Sequence, residues 1–302
     1  MPDWVTHLGT AYIGARVARV REVQLVLLGA ILPDVVIPTF VAIDLWHLPV
    51  SLNMFAYLIA FHSLTVVSLL AAAIALLHMH ASRCFLLIWG GAATHFLLDI
   101  LETDIDCGMR VFYPFSFRSW SPGWLATGRN ISILLLVIAA VALGLALTQS
   151  ARLVKLGFQP KRKALWYAVA LAAIAFLLPL LTRQTVVDQN VHFLAFFSNP
   201  EAWQDRSVEL CFSEVISRSP VEIKEFDKQF ELLTKENLAV GEHVSVRGVY
   251  RDRKIYPTRL YIHRGFSEAW LSLAGLVVLF VLLIPGKGNG RGQAARKVSP
   301  SL

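Results

Sequence analysis

Six apolar runs constrain this chain more than anything else in it. Residues 24–45, 54–77, 84–103, 130–149, 164–182 and 267–285 each approach the roughly 20 residues that a helix needs to cross a bilayer core. Hydrocarbon offers the backbone no hydrogen bonds, so spanning segments must be helices or closed barrels. Of the 302 residues, 56% are hydrophobic and only 16% charged, a balance foreign to ordinary soluble domains. The expected fold class is therefore an α-helical polytopic membrane protein with about six spans. Residues 4–20, WVTHLGTAYIGARVARV, are also largely apolar and read as a short additional helix, a re-entrant piece or an interfacial one. The basic residues follow this segment, which argues against a cleaved signal peptide.

The formal net charge of +7 raises the question of nucleic acid, and its distribution answers it. Residues 183–266 hold 12 Lys+Arg against 12 Asp+Glu, so the excess lies in the apolar part. It falls at Arg16, Arg19 and Arg21, at Arg83, from Arg152 to Lys163, and in the tail from Lys287 to Lys297. These are alternate connections between the apolar runs, which is the positive-inside pattern. The expected orientation in a membrane has the tail cytoplasmic and residues 183–266 extracytoplasmic. No nucleic-acid partner is expected.

Between residues 206 and 263 the pattern changes to short alternating stretches such as SVELCFSEVI and HVSVRGVYR, punctuated by turn residues. Four or five strands in so short a segment predict a small all-β domain inserted before the last span. The stretch VGEHVSVRGVYRDRKIYPTRLYIH resembles the closing strands of OB-fold modules, and its expected role is a lid, a substrate-facing surface or a protein-partner module. The expected organisation is a membrane-embedded domain over 1–150, a basic loop and fifth span over 151–182, a β-module over 183–266, and a last span with a basic tail over 267–302. Cys84, Cys107 and Cys211 form no CxxC pair, so neither a disulfide framework nor cysteine chemistry is expected.

Ionisable side chains within apolar spans are expensive and usually mark a functional site. Here they are Asp34 in GAILPDVVIP, His62 in YLIAFHSLT, and His95 with Asp99 in THFLLDI, joined by His7 if the first segment is embedded. His95 and Asp99 stand at i and i+4, which places both on one helix face. Counted inward at about 1.5 Å per residue, Asp99 lies roughly 6 Å deep, His95 and His62 roughly 12 Å, and Asp34 roughly 16 Å. All four share the outer half of the expected membrane. Imidazoles mixed with carboxylates suit zinc, with manganese or iron as alternatives, and a bound divalent metal supports hydrolysis. The alternative for each residue is a helix–helix hydrogen bond. Pro33 can mark a kink, or can break the helix and leave backbone groups to line a polar cavity.

Other histidines carry less. His47, His78 and His80 fall at span ends, and His192 and His243 belong to the β-module. Glu102, Asp104 and Asp106 read as a solvated loop or as a source of a further ligand. Arg110 and Arg118 flank the aromatic run FYPFSF, where arginine forks suit phosphate. They are candidates for a substrate phosphate, or for anchoring the loop to lipid phosphates.

The succession THLG, GAILPD, HSLT, HFLLD and YPFS resembles the membrane-bound metal-dependent hydrolases of the YdjM type, themselves distantly similar to zinc-dependent phospholipase C, and the resemblance implies a bacterial inner membrane as the location. The resemblance covers about residues 1–150. It implies metal ligands at His7, Asp34, His62, His95 and Asp99. The chain departs from the pattern at Val36, where many members carry a second acid, and at Tyr57, where many carry histidine. The expected function is a metal-dependent hydrolase of a lipid or lipid-linked phosphoester at the outer leaflet, with Asp34 or Asp99 as general base. The rival is a non-catalytic metal-binding membrane protein whose β-module recruits a partner.

Overall fold

A computed structural model of the chain describes residues 4–36, 38–39, 42–43, 46, 48, 50–102, 109–118, 120, 129–148, 157–159, 161–263 and 268–283. The helices are α1 (Trp4–Val17), α2 (Val23–Ile31), α3 (Leu52–Ile59), α4 (Leu64–Leu76), α5 (Ala81–Glu102), α6 (Arg129–Thr148), α7 (Arg162–Asp188), α8 (Leu194–Ser198) and α9 (Glu268–Leu283). The strands are β1 (Arg206–Arg218), β2 (Val221–Glu225), β3 (Lys228–Leu232), β4 (His243–Arg251) and β5 (Lys254–His263).

The expectation of six spans does not survive. Among the described residues two helices, Ala81–Leu101 and Arg162–Asp188, are long and apolar enough to cross a membrane, or three segments if a bent pair is one span. The physical reason is that apolar runs were read as unbroken helices, and local chemistry breaks them. Pro33 follows α2 and the chain tightens into a 3-10 turn, Leu32–Asp34. The run 54–77 divides at Ala60–Ser63 into α3 and α4, inclined by 60°. Ser63 caps the new helix, accepting from the amide of Val66 at 3.4 Å, and Ser51 caps α3 through Met54 at 3.2 Å. Helix α2 with its 3-10 turn, Val23–Asp34, is shorter than a span.

Small residues set how closely the helices approach. A Cβ placed on Gly91 of α5 would lie 1.9 Å from the carbonyl oxygen of Val26, and one on Gly29 of α2 would lie 1.8 Å from that of Ile88. Helices α2 and α5 thus cross backbone to backbone, as small residues permit. Helix α1 lies against α2, α6 and α9 around Leu8, Ala11, Leu27 and Leu143, all buried. A second apolar cluster joins α4 to α5 around Val66, Val67, Ile88 and Phe96.

The β segment closes into a barrel in the order β1-β2-β3-β5-β4. Only the β3–β5 pairing is parallel. Strand β1 serves two neighbours because it is long and bulged, with register shifts between Leu210 and Ser213 and between Val215 and Ser217. Phe212, at the first bulge, has φ 60°. Asp252 and Arg253, both with positive φ, form the two-residue turn between β4 and β5. Phe196 and Phe197 of α8 close the barrel core, with Phe196 stacked on Phe230 at 5.2 Å. Leu52 of α3 packs against this core, and Phe55 meets Phe226 edge-on at 5.3 Å. The start of α3 therefore carries the barrel, and its end leads to His62.

Candidate metal centre

Four segments deliver five ionisable side chains to two overlapping groups that share His95. Helix α1 contributes His7, the 3-10 turn after α2 contributes Asp34, the break between α3 and α4 contributes His62, and α5 contributes His95 and Asp99. Each position has a local reason. His95 and Asp99 share a face of α5, Nε2 to Oδ2 3.1 Å. Asp34 reaches inward because Pro33 ends α2 one turn short of it. His62 sits where the chain has left α3 and has not yet entered α4, so its side chain projects across the break.

The distances are tight. His62 Nε2 lies 2.9 Å from His95 Nε2 and 2.9 Å from Asp99 Oδ2. Asp34 Oδ1 lies 3.7 Å from His95 Nε2 and 3.8 Å from His62 Nε2. His7 Nε2 lies 3.3 Å from the other oxygen of Asp99, and its ring stacks on His95 with centroids 3.7 Å apart. Ligands bonded to one ion at about 2.0–2.2 Å stand about 3 Å apart at right angles and about 3.4 Å at the tetrahedral angle. The observed separations bracket those values.

Two observations test whether the residues fit a cation. The carbonyl of Ala30 accepts from His95 Nδ1 at 2.6 Å. That bond places the proton of a neutral ring on Nδ1 and leaves the Nε2 lone pair facing Asp99 and His62, the arrangement that metal-ligating histidines show. The second is His7, fully buried, whose Nε2 faces Asp99 Oδ1 at 3.3 Å. A cation on the Nε2 lone pair of His7 would be shared with Asp99, which makes this ring a candidate ligand. The two groupings His7, His95, Asp99 and Asp34, His62, His95 share His95. With Nδ1 engaged by Ala30, one lone pair remains on that ring, so His95 can ligate one ion, and not one in each grouping.

Access is one-sided. The side chains of His7, His95 and Asp99 are 0% exposed and that of Asp34 4%, whereas His62 is 16% exposed. Beside His62 runs the loop 109–118. The carbonyl of Val111 accepts from the amide of Leu64 at 2.9 Å, and Tyr113 hydrogen-bonds Thr182 of α7. Burial pushes the Tyr113 phenol up to about 12, so it stays a neutral hydroxyl near neutral pH. The backbone one residue after Arg110 thus meets the start of α4. Arg118 is exposed, its guanidinium 5.4 Å from the ring centre of Trp120. The loop is pinned across its base, where Met109 and Trp120 pair.

Asp104 and Asp106 lie outside the described residues, as does the side chain of Glu102. Tyr57 packs edge-on against Phe61 at 5.3 Å, and Val36 joins the same apolar cluster. Sequence reasoning missed two members of the site. The Ala30 carbonyl carries no side-chain signal. The indole of Trp4 donates to Asp34 Oδ2 at 3.0 Å, and its one available signal was the i, i+3 spacing from His7 on a helix.

No protein-family model, curated protein or solved structure matches this chain.

Proposed function

We propose that this chain is a membrane-bound metal-dependent hydrolase acting on a lipid or lipid-linked phosphoester. The observation that carries the reading is the convergence of His7, Asp34, His62, His95 and Asp99 from four segments, with the His95 tautomer set by Ala30. The donors suit zinc, and also manganese or iron. A bound divalent ion lowers the pKa of water and polarises a phosphoryl oxygen. The chain's own residues orient and exclude. His95 is held by Ala30, Asp34 by Trp4, and burial keeps bulk water from the inner side of the site. Asp34 or Asp99 is the base in this reading, and Arg110 and Arg118 are the phosphate contacts.

The membrane setting belongs to the same proposal. Helix α7 begins with Lys161, Arg162 and Lys163 and leads at its other end to the barrel, which the positive-inside rule orients with the barrel outside a bacterial inner membrane. The barrel stands one short helix from the site, about 12 Å along α3, near enough to cover a substrate. The order of the sequence motifs supports placing the chain among the YdjM-type hydrolases.

One observation favours a second reading. Four of the five side chains are essentially closed to solvent, and closed shells are typical of structural metals. The chain would then hold its ion for stability while the barrel recruits a protein partner. Detergent-purified protein assayed for bound metal and for phospholipid hydrolysis, before and after His95→Ala and Asp99→Ala, separates the two. Stoichiometric metal and turnover, both lost in the variants, support the hydrolase. Metal lost in the variants without turnover of any phospholipid supports the second reading, and absence of metal from the intact protein refutes both.

A further inference from the structure

Asp34 has two carboxylate oxygens, and only Oδ1 faces the histidines, at 3.7 and 3.8 Å. The other, Oδ2, accepts from the Trp4 indole at 3.0 Å in a fully buried contact. Trp4 itself is 3% exposed. A tryptophan N–H is a donor only, so this bond persists whatever protonation the neighbouring imidazoles adopt. Helix α9 packs against the base of this side chain and the backbone beside it. A Cβ on Gly275 would fall 2.6 Å from Trp4 Cβ and 2.9 Å from its carbonyl carbon, so only glycine lets α9 come this close.

Resting on the metal-binding reading above, we propose that Trp4 is a positioning residue that holds Asp34 to one-oxygen ligation, and that α9 sets the indole through Gly275. The helix that follows the barrel is thus tied to the metal centre by a chain of three contacts: Gly275 on Trp4, Trp4 on Asp34, and Asp34 facing His62 and His95. Indole removal frees Oδ2, and Asp34 then reaches an ion with both oxygens or rotates away. Hydrogen bonds behind metal ligands typically contribute 10–100-fold in affinity.

The test uses the full chain in detergent, loaded with cobalt(II), whose visible absorption reports coordination number. Affinity is read by competition with a chelator. Trp4→Phe keeps the ring and removes the donor, and is expected to weaken cobalt about 10–100-fold and to change the visible band. Gly275→Ala is expected to shift the band in the same direction by displacing the indole, which keeps the proposal testable should Trp4→Phe fail to fold. Trp4→His, which retains a ring N–H, is expected to recover part of the affinity. A merely structural Trp4 would lower the melting temperature and leave band and affinity as in the parent protein, and that result overturns the proposal. Failure of the parent protein to bind cobalt, zinc or manganese overturns the metal reading itself, and this inference with it.

Discussion

Gly91→Ala is expected to damage the candidate centre without touching any residue in it. The added methyl would stand 1.9 Å from the Val26 carbonyl oxygen, whereas carbon and carbonyl oxygen settle no closer than about 3.3 Å. Helices α2 and α5 must therefore open by about 1.4 Å at this crossing. One turn further along α5, His95 Nδ1 bonds the Ala30 carbonyl of α2 at 2.6 Å. The same opening carries that pair to about 4 Å, outside hydrogen-bonding range. Overpacking contributes about 1–3 kcal/mol of destabilisation, and a buried donor and acceptor left apart add about 1–3 kcal/mol. Gly90→Ala is the matched control, because nothing lies within 4 Å of its added methyl. It should be neutral or stabilise by up to about 1 kcal/mol through helix propensity. Thermal unfolding in detergent, with zinc affinity measured beside it, reads both variants. If Gly91→Ala unfolds with Gly90→Ala and binds zinc as tightly, the backbone-to-backbone crossing and its link to His95 are refuted.

Three further outcomes follow from other contacts. Asp99→Asn preserves shape but removes the charge and one acceptor oxygen within reach of His62, His95 and His7, and equilibrium dialysis should find metal affinity lower by at least 100-fold; an unchanged value would exclude Asp99 as a ligand. Ser63→Ala deletes the α4 cap and should lower stability by about 1 kcal/mol, read as a shift in melting temperature that replacement by Thr largely restores. In the barrel, Glu225 accepts from the Cys211 amide at 2.9 Å and the Ser213 hydroxyl at 2.6 Å, pinning the Phe212 bulge. Glu225→Ala should therefore destabilise the protein by about 1–3 kcal/mol while metal affinity stays put, and a fall in that affinity would show the barrel and the centre to be one cooperative unit.

The breaks in the helices illustrate why hydropathy overcounted. A window average weighs Pro33 and Ser63 each as one residue among about twenty, yet one ends α2 and the other starts α4. Both breaks lie beside candidate ligands, since a side chain at a helix break can point where a helical one cannot. The HSLT motif held the signal in plain form, a serine at a helix start, outweighed by the apolar residues around it. In the barrel, alternation was strong enough to show strands, but the parallel pairing of β3 with β5 rests on contacts distant in sequence.

What the sequence determined alone was the identity of the unusual groups. Polar side chains in apolar surroundings are expensive wherever they lie, so His7, Asp34, His62, His95 and Asp99 stood out before any geometry was known, and the i, i+4 spacing already paired His95 with Asp99. The tertiary structure decided what those groups meet. Gly29 and Gly91 let two backbones touch, which put the Ala30 carbonyl against His95. Gly275 let α9 approach the backbone of Trp4, whose indole donates to Asp34. Both depend on close approach between segments far apart in the chain, and local periodicity contains no term for that distance.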